Sequence, residues 1–461
     1  MERAERTAGG RTASRRDDMQ NCLPESDGAR LRPWSSEPIP LALVIIALSF
    51  IALQVGCGLA NGEGLRWDFA NFYDAGHKAA AGETGSLYDP TATIGGAPAL
   101  GDMTFLGTPL SAVLYAPLSW FAPPHALVLF KLQHTLATVA ALVLLFRLHL
   151  RTGRLSFGDS RVFAAVFALA VAVYQPFWEV YHLGGQSTGA VFLLLVFGTS
   201  CYTRGHEFWA AVCFALAVAV KPGFIVPLVV LSGLSGARFA GYAAGVGLLL
   251  GLASIAFAGW PVHAAFLERM LATRPEPWLF NSSLTVVLDN LQTMRVSPIG
   301  AVTASLASTT IRLGVAGILI ACLARAGWTV ASDAGRRHLR IVIAITSGVL
   351  VLPIVWEHYL ALLFIPISYC LAVCPRLPRR ARGLLTAIVV LSMAQDVSVI
   401  DRIRSLIYVN TWPELVAAGL FKSAPLALTA ILLIAHRREL ATTSSDMQSR
   451  RSFRSLHTPS S

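Results

Sequence analysis

The sequence predicts an all-α polytopic membrane protein, a bundle of about twelve transmembrane helices with its chemistry in loops at the membrane surface. Composition is the first reason: of 461 residues, 54% are hydrophobic and only 14% charged, where a soluble domain carries about 25% charged residues. Apolar, uncharged runs of the length needed to cross a bilayer, roughly 20 residues, recur from Pro40 to His436. The third reason is where the 37 Lys and Arg fall. Most lie on the side shared by the two tails, and the positive-inside rule then places both termini in the cytoplasm.

The expected spans are 40–60, 124–146, 162–179, 187–202, 207–220, 222–235, 239–259, 306–324, 341–356, 358–373, 384–400 and 412–435. The first reads as a retained anchor rather than a cleaved signal, because a polar tail precedes it and Gln54 interrupts the apolar run before Cys57. Two short runs flank Lys221-Pro222. They read as two helices, with one long kinked helix as the alternative, since that reading would place the basic clusters around Arg336 and Arg379 outside. The chain therefore divides into a disordered cytoplasmic tail (1–39), a membrane domain (40–436) and a second disordered cytoplasmic tail (437–461). Two outer loops are long, 61–123 and 260–305. Within the first, Phe105 to Phe121 is apolar but interrupted by Pro109 and Pro117, which fits an interfacial or re-entrant helix better than a span.

The net charge of +11 reports orientation in a chain of this kind, so nucleic acid is a poor partner. The seven cysteines are odd in number and lack ligand spacing, which gives neither a disulfide framework nor a metal site. No phosphate-binding glycine loop for a nucleotide is visible. The first outer loop holds Glu63, Asp68, Asp74, Glu83, Asp89 and Asp102 without a tight Asp-x-Asp pair for a divalent ion. No cofactor is expected.

Chemistry-bearing residues collect on the outer side. Asp68 lies shortly after the first span between Trp67 and Phe69, where partly apolar surroundings raise a carboxylate's pKa and suit it to take a proton. The competing reading is a helix N-cap, because Asp68 precedes a helical-looking stretch from Phe69 to Ala81. The short outer turns carry Tyr181-His182 and Gln186, then Lys221, then Glu357-His358. Each has an ordinary explanation: a snorkelling Lys, a His bonded to a carbonyl, a Glu paired with an Arg. Their common sidedness around an acidic loop is what points to a site. Inside the second span, Lys131 and His134 share a helical face that fits a lipid phosphate, although Lys131 also fits snorkelling. Lys422, near mid-membrane in the twelfth span, has no account from sequence.

Arg66-Trp67-Asp68-Phe69, then Phe72-Tyr73, Ala75-Gly76 and Leu87-Tyr88-Asp89-Pro90 directly after the first span resemble the signature of glycosyltransferase family 87. The likeness runs more loosely through Pro109 to Pro117, Gly185-Gln186, Lys221-Pro222 and Glu357-His358-Tyr359. That resemblance implies a GT-C membrane architecture and a mannosyltransferase that uses a polyprenyl-phosphate-mannose donor. It also implies that Asp68 is the catalytic base; Ala70 and Asn71, in a variable stretch, inherit no role.

The sequence thus leads to an inverting, metal-independent transferase that moves a hexose from a polyprenyl phosphate to an acceptor hydroxyl, of a lipid or a glycan, outside the membrane. His358 is the second catalytic candidate. Lys221, His182, Arg269, Arg274 and Lys131 are candidates for the donor phosphate, and Tyr73, Gln186 and Glu357 for substrate contact. A transporter or flippase of lipid-linked sugars is the alternative, although such proteins tend to carry internal repeats and a midplane site, and no repeat is visible here. A relative using another carrier-linked sugar, such as an aminopentose or arabinose, is a third reading.

Overall fold

The computed structural model describes residues 38–90, 104–152, 155, 160–179, 185–272, 282–283, 310, 313–314, 317–318, 321–322, 333–352, 355–395, 412–436 and 439–440. Among them the chain is helical throughout, and the only β pairing is an isolated antiparallel bridge between Pro90 and Thr104. The eighth expected span and both tails lie mostly outside the described residues.

The helices follow the apolar runs. The first, α1 (Pro38–Ala60), leads through a short 3-10 turn into α2 (Asp68–Ala80), the amphipathic start of the first loop. The loop closes with α3 (Pro109–Tyr115), capped by the Thr108 hydroxyl, and a 3-10 turn at Ala116–Trp120. Proline ends each piece early, so this stretch stays short of a span. Then come α4 (Pro123–Arg151), α5 (Ser160–Val173), α6 (Gln175–Glu179), α7 (Thr188–Thr203) and α8 (Glu207–Val220). Lys221 breaks the chain with an extended backbone, φ −134° and ψ 105°, before a 3-10 turn and α9 (Ile225–Ser235). The run 207–235 is therefore two helices, because Pro222 withdraws the amide a continuous helix needs.

After α10 (Ala237–Ala258) and α11 (Trp260–Ala272), the described chain resumes with α12 (Asp333–Val351) and α13 (Glu357–Leu360). It ends with α14 (Phe364–Val373), α15 (Arg379–Met393) and α16 (Trp412–Ala435). Four stretches are long and apolar enough to cross a membrane: Pro40–Ala60, Pro123–Arg151, Ala237–Ala258 and His358–Arg376. Their burial differs sharply. The last is 78% buried inside the protein and the first 11%, so the former is a central element and the latter presents its apolar side chains outward.

The main core is the seam where α4, α5, α7, α8, α9, α12 and α14 meet, centred on residues such as Phe163, Phe214, Leu363 and Phe364. A second, smaller cluster joins the first loop to the membrane bundle. It packs Phe69, Phe105 and Tyr115 against Phe130 of α4, and Phe72 stacks on Tyr115 with ring centroids 4.9 Å apart. The Thr108 hydroxyl also donates to the Ala219 carbonyl at the end of α8. The loop is thus anchored beside Lys221.

Two buried lysines of the bundle find partners that sequence could not show. Lys131 donates to the carbonyls of Gly58 and Asn61, at 2.7 and 2.6 Å, and so closes the exit of α1. Lys422 donates at 3.4 Å to the carbonyl of Gln395, just past α15. In both cases a cation meets the negative end of a helix, which offsets the cost of burying it.

Candidate functional site

Asp68 is the first residue of α2, but it does not cap it. The cap position is Trp67, which makes no side-chain cap bond. The Asp68 carboxylate instead accepts a hydrogen bond from the Gln186 side-chain amide. The other end of that amide accepts from the Lys221 ammonium at 2.9 Å, and Lys221 reaches the Thr188 hydroxyl at 3.4 Å. Carboxylate, amide and ammonium therefore form one chain drawn from three separate segments.

Backbone geometry explains how Gln186 arrives there. Gly185 has φ +62°, a left-handed conformation that side chains with a Cβ rarely adopt, and a Cβ there would sit 3.1 Å from the Cβ of Phe69. The turn thereby presses against the residue next to Asp68. At Gly189 a Cβ would lie 2.4 Å from the His134 carbonyl, so glycine lets the start of α7 approach α4. His134 completes the junction by accepting from the Ala190 backbone N–H at 3.2 Å, which satisfies one of the free donors at the start of α7.

On the opposite side of Lys221 lies the Tyr359 ring, its centroid 4.9 Å from the ammonium. That contact is a cation–π interaction at a site withdrawn from water. Tyr359 packs against the His358 imidazole, with ring centroids 4.5 Å apart. Lys221 lies within electrostatic reach of His134 and His358, and Asp68 of Tyr359. The cluster is thus built from the start of α2, the turn before α7, the break between α8 and α9, and α13.

Burial decides the charge states. Loss of water raises the pKa of Asp68 above the ordinary carboxylate range, while Lys221 and the Gln186 amide pull the other way. Lys221, 9% exposed, is lowered to about 7 by the same loss of water, against the stabilising charge of Asp68. Each group is therefore poised nearer neutrality than it would be in water.

The remaining sequence candidates fall elsewhere. Tyr73 donates its hydroxyl at 2.9 Å to the Phe121 carbonyl and ties α2 to the approach of α4. Two of the three N–H donors of Lys131 are taken by the end of α1. Arg269 sits on an exposed face of α11. Glu357 begins α13. His182 and Arg274 lie outside the described residues. The members that sequence reasoning missed are Thr188 and Tyr359. For Thr188 the signal was a hydroxyl two residues beyond Gln186; Tyr359 stood next to His358 in the Glu357-His358-Tyr359 stretch but was given no role of its own.

The described chain is thus a helical protein with four helices long and apolar enough to cross a membrane, and it holds a buried carboxylate and ammonium joined by one amide. The chain belongs to glycosyltransferase family 87, whose family model matches residues 105–353, more than half of its length. It is a membrane glycosyltransferase, acting on a sugar donor and an acceptor. The matched stretch contains Gln186, Thr188 and Lys221; Asp68 and His358 flank it. A search of curated proteins finds no match to the chain.

Proposed function

We propose that this protein transfers a hexose from a polyprenyl monophosphate to an acceptor hydroxyl on the extracytoplasmic side of the membrane, with inversion at the anomeric carbon. The resemblance in the first loop implies mannose. The observation that carries the reading is the Asp68–Gln186–Lys221 chain, which sets a proton acceptor and a cation at the two ends of one amide. Asp68 takes the proton of the acceptor hydroxyl as its oxygen attacks the anomeric carbon. The bond from that carbon to the phosphate oxygen breaks, and its electron pair leaves with the polyprenyl monophosphate. Lys221, with His358 beside it, meets the charge that develops there.

A single phosphate leaves, so the developing charge is local and protein cations suffice. Purified protein in detergent, given labelled polyprenyl-phosphate hexoses and a lipid extract of the host, forms a labelled product in the absence of a sealed membrane. Product formation persists in excess chelator. If chelator stops transfer and Mn²⁺ restores it, the cation mechanism is wrong; if no product forms at all, the donor class is wrong.

The proposed topology has twelve spans, cytoplasmic tails 1–39 and 437–461, and outer loops 61–123 and 260–305, and it follows the positive-inside asymmetry. In a background without native cysteines, a cysteine replacing the exposed His77 reacts with a membrane-impermeant thiol reagent in intact spheroplasts. One replacing Arg151, at the far end of α4, is protected. The reverse pattern would put the site on the other side.

A further inference from the structure

Gln186 was expected to contact substrate, but both ends of its amide are occupied by protein. The nitrogen has donors only and faces a carboxylate, which only accepts; the oxygen accepts and faces an ammonium, which only donates. Only this orientation satisfies both neighbours. Among the described residues Asp68 and Lys221 form no direct ion pair. The amide stands between them, buried to 7% exposure on the turn that Gly185 and Gly189 fix.

We propose that Gln186 is the positioning residue of this site, a neutral bridge that fixes the places of the carboxylate and the ammonium and stabilises the charged form of each. Each charge then stays available to its own half of the reaction, Asp68 to the acceptor hydroxyl and Lys221 to the departing phosphate. The inference rests on the function proposed above for those two residues. Its physical content is separable: Gln186 stabilises the charged form of both neighbours at once, through a donor on one side and an acceptor on the other. His134, His358 and Tyr359 also face the pair, so the effect has to be read on Asp68 itself as well as on turnover.

Two variants test it. Gln186→Glu keeps the shape but places a second carboxylate beside Asp68 and beside Lys221. Both limbs of the pH profile of kcat/KM move to higher pH, by about one unit or more, the range expected for a neighbouring charge. Gln186→Ala removes the donor and the acceptor together. The acidic limb then rises and the alkaline limb falls, so the bell narrows, and its maximum drops by about 10-fold or more. A residue that only supports the fold would lower the rate without moving the limbs in these opposite senses.

The second readout needs no turnover. Infrared difference titration of the Asp68 carboxyl, isolated by subtraction of Asp68→Asn, gives a midpoint that is higher in both Gln186 variants than in the parent protein. Unmoved midpoints and limbs, or limbs that move apart in the alanine variant, overturn the proposal. Should the parent protein transfer no sugar, the function reading fails, and the infrared midpoints still decide the role of Gln186.

Discussion

Asp68→Asn abolishes transfer, with a loss of at least about 10³-fold, while the protein remains folded and monodisperse in detergent. The magnitude is that of removing a positioned general base. The fold survives because the asparagine carbonyl still accepts the hydrogen bond that Gln186 gives to Asp68, and no helix cap is lost, since Asp68 does not cap α2. Asp74, by contrast, is paired with Lys78 at 2.8 Å within α2, and Asp74→Asn leaves turnover within a few-fold of the parent. Initial rates with saturating donor, beside a thermal unfolding curve for each variant, check the pair. Equal and small losses at both positions would remove Asp68 from the chemistry.

Lys221→Met has the second large effect, a fall in kcat of about 10²- to 10³-fold, as for the loss of one preorganised group that stabilises developing charge. The pH profile gives the sharper measurement. The free enzyme is active when Asp68 is ionised and Lys221 protonated. Since burial raises Asp68 and lowers Lys221 to about 7, activity falls at low pH from a raised carboxyl pKa and at high pH near neutrality. A bound donor phosphate favours the ammonium, so the alkaline limb in kcat lies above that in kcat/KM for the donor. In the Met variant the alkaline limb assigned to Lys221 disappears. If that limb persists in Lys221→Met, another group holds the phosphate.

Much of the fold was legible because membrane spans announce themselves by length and composition, and because proline marks where helices stop. The break at Lys221-Pro222 is such a case: one missing amide decides between one helix and two. The first loop was readable for the same reason, since Pro109 and Pro117 cut its apolar stretch into short pieces. The site was legible only as a set of polar residues sharing one side. What could not be read was which of them touch. Asp68 and Gln186 are 118 positions apart, and Lys131 and the Gly58 carbonyl are 73 apart. No local pattern encodes such pairs. Lys131 shows the point: from sequence it reads the same whether it faces a lipid phosphate or the last carbonyls of α1, to which it donates in the structure.

The wide separation of these partners bears on how the protein is made. Asp68 is made early in synthesis, Gln186 and Lys221 follow, and Tyr359 arrives only with α13, after more than two-thirds of the chain has left the ribosome. Domains emerge from the N-terminus onward. Until the later helices are in place, the carboxylate has neither its amide nor its cation, and the lysine has no aromatic ring to rest on. A nascent chain that ends before Tyr359 therefore carries an incomplete centre. The cluster is therefore completed only once Tyr359 has been made, the last of its partners to arrive.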